Sequence, residues 1–178
     1  MINKFLMLCY IVAASEANSL ADKTLGHETD CSPASHKGLS TMERMEVLLI
    51  EDNAGDAVLI RQILTDASVP INLHIARDGE QAMTMLGDAH FRPDLIILDL
   101  NIPRISGAAL LDRWKALEVP IVVFSSSLNE TERERALALG AREFVRKPID
   151  LEVFTETVSG IIHRYSGPGN ATAGGATA

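Results

Sequence analysis

The chain has 178 residues, enough for one ordinary domain with appendages but too few for two average domains. Apolar residues make up 47% and charged residues 22%, close to globular averages, so general disorder, collagen-like repeats and a multispan membrane protein are disfavoured. The 24 acidic and 16 basic residues give a formal net charge of −8, and aromatic residues are only 4%, which argues against a nucleic-acid-binding surface.

Residues 1–44 have the composition of a leader and not of a folded unit. An apolar run at residues 5–14 precedes a polar stretch without strand or helix periodicity, so we expect disorder there. Two origins stay open. The run resembles a short secretory signal, whereas Met42 and Met45, directly before the first predicted strand, fit a start assigned too far upstream. We favour a non-functional leader over export.

The other end of the chain also lacks the pattern of a folded unit. Residues 166–178 are small, uncharged and rich in glycine, which predicts a flexible tail. The folded domain is therefore predicted at residues 45–165. Both cysteines, Cys9 and Cys31, lie in the leader, and the cysteine-free remainder agrees with a reducing compartment, so we expect a cytoplasmic protein.

Within this domain, short apolar strands alternate with segments of helical periodicity. The predicted strands are residues 47–50, 73–76, 95–98, 121–124 and 144–145. The predicted helices are one around residues 58–64 and four at residues 80–88, 107–117, 130–139 and 151–164. Gly140 is predicted to end the fourth helix as a C-terminal cap.

Five consecutive strand–helix units require right-handed crossovers and a parallel sheet covered by helices on both faces. Continuous apolar runs in the first, third and fourth strands are typical of strands buried on both sides. Five units are too few for an eight-stranded barrel. We therefore predict an α/β fold with an open, doubly wound parallel sheet of five strands.

Polar side chains follow four of the predicted strands, at the edge where open parallel sheets place their sites. They are Glu51, Asp52, Asp99, Ser125 and Lys147. Each alone has an ordinary explanation, because acids cap helices, serines form turns and a loop lysine is usually solvated. Their joint occurrence at one edge is harder to explain without a function.

Crowded carboxylates repel one another and lose solvation, so they need cations. Mg²⁺ fits an oxygen-only set of ligands, and Lys147 supplies a second positive charge. A carboxylate in such a site can attack phosphorus, and Asp99, from the middle of the sheet, is the candidate nucleophile. Lys147 would neutralise the phosphoryl oxygens, and Ser125 would hydrogen-bond to one of them.

These motifs, in this order, resemble the receiver domain of bacterial two-component response regulators. The resemblance covers about residues 47–163 and implies a flavodoxin-like (βα)5 sheet with the strand order 2-1-3-4-5. Its matching pieces are Leu-Leu-Ile-Glu-Asp-Asn at 48–53, Leu-Ile-Ile-Leu-Asp-Leu-Asn-Ile-Pro at 95–103 with Gly107 beyond, Ile-Val-Val-Phe-Ser-Ser-Ser at 121–127 and Val-Arg-Lys-Pro at 145–148.

The resemblance implies a metal site and a phosphoacceptor. Glu51, Asp52 and Asp99 would form the acidic Mg²⁺ pocket, the backbone carbonyl of Asn101 would be a further ligand, and Asp99 would accept the phosphoryl group. Asp56 could belong to the outer part of this site, but an acid in the first turn of a helix is stabilising in itself, and we favour that explanation.

The resemblance also implies a switch. Ser125 would be the switch hydroxyl, Lys147 the conserved-type cation of the family, and Phe144, three residues before Lys147, the aromatic switch residue. A partly buried ring at the end of a strand needs no function, so the switch and core-edge interpretations of Phe144 both stay open.

The function implied is a single-domain response regulator that receives a phosphoryl group on Asp99 from a sensor histidine kinase. The chain is similar to stand-alone regulators often paired with phytochrome-type or hybrid kinases. Without a DNA-binding module, its output would be a changed surface for a downstream protein, a homodimer or onward phosphotransfer. We expect no turnover enzyme, no direct nucleic acid binding and no membrane contact.

Two alternatives belong to other classes. The first is a receiver-like interaction module that works without phosphorylation. The second is a phosphatase or a cofactor-binding flavodoxin-like protein, but Glu51-Asp52-Asn53 stands where a glycine-rich phosphate loop would follow the first strand.

Overall fold

A computed structural model describes residues 44–67 and 69–166. The predicted leader up to residue 43 and the predicted tail beyond residue 166 lie outside the described residues. The strands are β1 (Met45–Ile50), β2 (Ile71–Ala76), β3 (Leu95–Leu98), β4 (Ile121–Ser125) and β5 (Glu143–Arg146). The helices are α1 (Ala54–Thr65), α2 (Gly79–Gly87), α3 (Gly107–Arg113), α4 (Glu130–Ala138) and α5 (Leu151–Tyr165).

The five strands form one parallel sheet in the order β2-β1-β3-β4-β5, which confirms the predicted fold class and strand order. In the register, Ile50 pairs with Ala76 of β2 and with Leu98 of β3. The residues that follow Ile50 and Leu98 therefore leave the sheet side by side. This register brings Glu51 and Asp99 to one place at the carboxyl edge.

Alternating side chains of the sheet enter two separate core layers. On β1, Val47 and Leu49 pack with α1 and α5, whereas Leu48 and Ile50 pack with the layer that contains buried residues of α2, α3 and α4. All four side chains are at most 1% exposed. A strand buried on both faces explains why β1 has a continuous apolar sequence.

Side chains at the helix ends fix where the helices begin and stop. Each helix follows a residue whose side chain accepts a hydrogen bond from an amide of the first turn, namely Asn53, Asp78, Ser106, Asn129 and Asp150. After α4, Gly140 has a φ of 102°, a conformation that favours glycine. Its amide donates to Leu137, and the amide of Ala141 donates to Ala136, which confirms the predicted glycine cap.

The third helix is shorter than predicted. It ends at Arg113 and not at residue 117. The amide of Trp114 donates to the carbonyls of both Leu110 and Leu111, and the amide of Leu117 donates to Trp114. The chain thus tightens into turns at the end of α3, a change that helical periodicity alone does not predict. No helix in the described part of the chain has the length and apolar character that crossing a membrane requires.

Candidate functional site

Lys147 is the centre of a buried charge cluster at the carboxyl edge of the sheet. Its Nζ lies 2.5 Å from Oε2 of Glu51, 2.6 Å from Oδ2 of Asp99 and 3.3 Å from Oδ2 of Asp56. The four residues are between 2% and 9% exposed. One ammonium group therefore neutralises part of the charge of three acids in a largely water-free place.

The sheet delivers these side chains through its backbone ladder. The amide of Glu51 donates to the carbonyl of Ala76 at 2.9 Å, and the amide of Asp99 donates to Ile50 at 3.0 Å. On the other side, the amide of Lys147 donates to the carbonyl of Ser125 at 2.8 Å. A backbone hydrogen bond to the neighbouring strand thus fixes the position of each of these three residues.

Local hydrogen bonds orient the two innermost carboxylates. The amide of Asn53 donates to Oε1 of Glu51 at 3.2 Å, and the amide of Asn101 donates to Oδ1 of Asp99 at 3.0 Å. Each carboxylate therefore has one oxygen on the amide two residues later and the other on Lys147. These contacts fix the orientation of both carboxylate groups before any ligand binds.

The balance of charge at this edge is incomplete. Burial raises the pKa of Glu51 to about 7, because desolvation outweighs the hydrogen bond and charge of Lys147, and the nearby charges of Asp99 and Asp56 raise it further. Burial opposes the charge of Lys147, but its hydrogen bond and ion pair with Asp99, followed by those with Glu51, raise its pKa above the ordinary lysine value. A further cation would be stabilised here.

The remaining predicted residues differ in burial. Ser125 is fully buried at the end of β4, and its Oγ accepts a hydrogen bond from the amide of Ser127 at 3.4 Å. Phe144 is partly buried in β5 and packs against the core layer shared with α2, α3 and α4. Asp52 and Asn101 are exposed at the rim.

Whether this edge suits Mg²⁺ can be judged from its donor atoms. Within residues 44–67 and 69–166, no group of three or more His, Cys, Asp or Glu side chains is arranged to hold a metal ion. Glu51 and Asp99 instead turn toward the Lys147 ammonium, because buried carboxylates need a cationic partner. Mg²⁺ is usually held by one or two carboxylates and several waters, so the oxygen donors here, with Asp52 at the solvent side, fit that ion.

Asp56 has a larger part in this cluster than the sequence suggested. It lies in the first turn of α1, as expected, but its carboxylate also contacts the Lys147 ammonium. The signal in the sequence was its position three residues after the N-cap Asn53, which aims it at the same edge as Glu51. Its partner is 91 residues away in the chain, beyond the reach of local pattern analysis.

Comparison with known proteins gives a consistent result. Residues 47–159 match the family model of the response regulator receiver domain. The response regulator Rcp1 of Synechocystis sp. is 32% identical over 124 residues, which are 65% of this chain and 84% of Rcp1. A protein-glutamate methylesterase/protein-glutamine glutaminase of Rhodospirillum rubrum is 38% identical over 106 residues, but these span 58% of this chain and only 28% of that relative.

Solved structures show the same likeness. The phosphorylated cyanobacterial phytochrome response regulator RcpA superposes with a TM-score of 0.66 at 32% identity, covering 70% of this chain and 95% of RcpA. The Mn²⁺-bound form of Rcp1 superposes with a TM-score of 0.63 at 31% identity, covering 66% of this chain and 91% of Rcp1.

Proposed function

Because this chain belongs to the response regulator receiver domain family, we propose that it is a phosphorylation-controlled switch of two-component signalling with Asp99 as phosphoacceptor. The observation that supports this most directly is the contact of 2.6 Å between Lys147 Nζ and Asp99 Oδ2 at the buried carboxyl edge. It places a fixed positive charge where the oxygens of a phosphoryl group on Asp99 would carry negative charge.

The donor we propose is a phosphohistidine of a sensor histidine kinase. A carboxylate oxygen of Asp99 forms a bond to phosphorus as the phosphorus–nitrogen bond of the donor breaks. The bonding electron pair stays on the imidazole nitrogen, which then takes up a proton. The chain needs no general base for this step, because the Asp99 carboxylate is already the nucleophile.

The residues that would hold Mg²⁺ are Asp52, Asp99, Glu51 and the backbone carbonyl of Asn101. When bound, the ion would supply positive charge to the phosphoryl oxygens. Lys147 would move its hydrogen bonds from Asp99 toward those oxygens while it keeps Glu51 and Asp56 as partners. The existence of a Mn²⁺-bound form of the similar regulator Rcp1 supports a divalent cation in this proposal.

A phosphoryl group on Asp99 would add up to about −2 in charge to this edge. The hydroxyl of Ser125, buried at the end of β4, would donate a hydrogen bond to it. We propose that Phe144 repacks as Ser125 moves, which changes the surface formed by α4 and β5. That surface would address a downstream protein or a second copy of the chain.

The test is phosphorylation by a small acyl phosphate with Mg²⁺, read by intact mass. We expect the wild-type chain to gain one phosphoryl mass and Asp99→Asn to gain none. Ser126→Ala is a matched control, since Ser126 is exposed next to Ser125 and has no proposed part. Equal incorporation in Asp99→Asn, or none in the wild type, would reject the proposal, and the second outcome would favour a phosphorylation-independent interaction module.

A further inference from the structure

The loop between β3 and α3, residues 100–106, lies directly against the turn that begins α2. A Cβ added to Gly79 would lie 2.3 Å from the carbonyl oxygen of Ile105, so only glycine allows this approach. The amide of Gly79 also donates to the carbonyl of Pro103 at 3.4 Å. The tip of the loop is therefore in backbone contact with the start of α2.

Arg104, at the tip of this loop, joins the same two segments through its side chain. Its Nε lies 3.4 Å from Oδ2 of Asp78, and its Nη1 lies 2.8 Å from Oε2 of Glu80. The other oxygen of Asp78 accepts the amide of Gln81 at 2.8 Å and so caps α2. One carboxylate thus ties Arg104 to the first turn of the helix.

The backbone of Arg104 is also unusual. Its φ is 68°, and it is the one non-glycine residue with positive φ in the described part of the chain. The left-handed conformation brings Cβ close to a carbonyl oxygen, so glycine or asparagine is the usual choice there. An arginine in this conformation is therefore held by its surroundings, and the ion pairs with Asp78 and Glu80 are the side-chain contacts that it makes.

The base of the loop is held by the phosphoacceptor itself. The amide of Asn101 donates to Oδ1 of Asp99, and the amide of Gly107 donates to the carbonyl of Leu100 at 3.2 Å. The position of Asn101 therefore depends on two anchors, Asp99 at the base and the start of α2 at the tip. Only two residues, Ile102 and Pro103, separate Asn101 from Arg104, so a displacement of the tip would reach Asn101 directly.

We propose that Arg104 is a positioning residue that holds the backbone carbonyl of Asn101 in place for Mg²⁺ through its ion pairs with Asp78 and Glu80. This inference rests on the proposed function, because it assigns Asn101 to the metal site. Arg104 itself does not touch Asp99, Glu51 or Lys147 in the hydrogen bonds and ion pairs of the structure. It acts on the site only through the loop.

The test is Mg²⁺ binding by titration calorimetry with magnesium chloride, using the full chain. Arg104→Asn removes the ion pairs but tolerates the left-handed backbone, so we expect Mg²⁺ affinity to fall roughly two- to fivefold at low ionic strength. Arg104→Lys keeps the charge but not the two-point contact, and its affinity should lie between the two. The wild-type advantage should shrink in concentrated salt.

Arg133→Asn is the matched control, because Arg133 makes an exposed ion pair with Glu130 on α4 and removal changes the net charge equally. We expect its Mg²⁺ affinity to equal that of the wild type. A second readout is the double variant Arg104→Asn with Glu80→Gln, whose loss should be smaller than the sum of the single losses. Urea midpoints show whether each variant is folded.

The outcomes separate the two proposals. If the wild-type chain binds Mg²⁺ and gains a phosphoryl group on Asp99, but Arg104→Asn binds Mg²⁺ equally well, the positioning role is wrong and the proposed function stands. Equal weakening in Arg133→Asn would likewise overturn it, because the loss of affinity would then not depend on the contacts that Arg104 makes with α2. If the wild-type chain binds no Mg²⁺, both proposals fall. Should Arg104→Asn not fold, Arg104→Lys and the salt dependence of the wild type decide.

Discussion

Glu46 and Glu51, at the two ends of β1, have opposite surroundings. Glu46, near the start of β1, is partly exposed and has Asn72 Nδ2 at 2.5 Å and His74 Nε2 at 2.6 Å. The hydrogen bond from Asn72 is the main cause that lowers its pKa. Glu51, directly after β1, is 2% exposed, and burial raises its pKa to about 7 although Lys147 lies 2.5 Å away.

The difference shows that the environment of a carboxylate matters more than the presence of one cationic partner. At the opposite edge of the sheet, partial exposure and the hydrogen bonds with Asn72 and His74 stabilise the ionised Glu46. At the carboxyl edge, Glu51 shares one ammonium with Asp99 and Asp56, so desolvation is not fully offset. The first edge is electrostatically satisfied, whereas the second favours an additional cation.

Removing the Lys147 ammonium from the carboxyl edge should have the largest effect on the free energy of unfolding. Lys147→Met would leave three acids without their ammonium, and we expect a loss of about 3–5 kcal/mol in the free energy of unfolding. The matched change at the other edge, His74→Gln, should cost no more than about 1 kcal/mol, because that pair is partly exposed. Urea unfolding of both variants near neutral pH measures the difference. Similar losses at the two edges would contradict it.

The pH dependence of stability should identify Glu51. Its pKa rises from 4.5 to about 7 on folding, so the folded chain holds a proton that the unfolded chain releases. The contribution of Glu51 to the free energy of unfolding is therefore greatest below pH 4.5. It falls by about 3 kcal/mol as the pH rises toward 7. We expect Glu51→Gln to remove this decline in urea unfolding measured with a chelator. An unchanged slope in the variant would show that another group titrates.

The next largest difference in stability is expected from two glycines whose backbone packing differs. A Cβ at Gly107 would lie 2.7 Å from the carbonyl oxygen of Asp99 and from Cα of Leu100, so Gly107→Ala should destabilise the chain by about 1–3 kcal/mol. Gly87, the last residue of α2, has nothing within 4 Å of an added Cβ. Gly87→Ala should be neutral or stabilising by up to about 1 kcal/mol. Thermal denaturation compares the two, and destabilisation by both would argue against the contrast.

The smallest expected effect is at Glu46. Its lowered pKa means that it contributes stability above 4.5, which is lost as the pH falls through the folded value. We expect Glu46→Gln to reduce the acid-range loss of stability by less than about 1 kcal/mol, a sign opposite to that at Glu51. Acid titration followed by circular dichroism measures it. The same sign for both variants would remove the distinction drawn between the edges.

The fold could be predicted because its main signals are local in the sequence. The apolar run Leu95–Leu98 coincides with β3, and Gly140 ends α4 as expected, since a positive φ there favours glycine. The open, doubly wound sheet followed from the repeated strand–helix pattern and the rules for crossovers, whereas the strand order was implied by the family resemblance. The end of α3 could not be predicted in this way, because the shared hydrogen bonds of Trp114 leave the apolar periodicity unchanged.

The site was predictable in its residue types but not in its contacts. Glu51, Asp99 and Lys147 meet as expected at one edge, because each directly follows a strand. The contact of Asp56 with Lys147 and the ion pairs of Arg104 were not foreseen, because they join segments 91 and 24 residues apart through side chains alone. No pattern of period two or 3.6 encodes such pairings.

The lysine that neutralises this edge is also the last of its members to be synthesised. Lys147 follows Glu51 by 96 residues and Asp99 by 48, so a nascent chain on the ribosome carries the acids well before their counter-ion. β1, β2 and β3 can pair by then, but bringing the acids together would be electrostatically unfavourable. The order of translation therefore leaves the carboxylates of Glu51, Asp56 and Asp99 without the Lys147 ammonium until β5 has emerged.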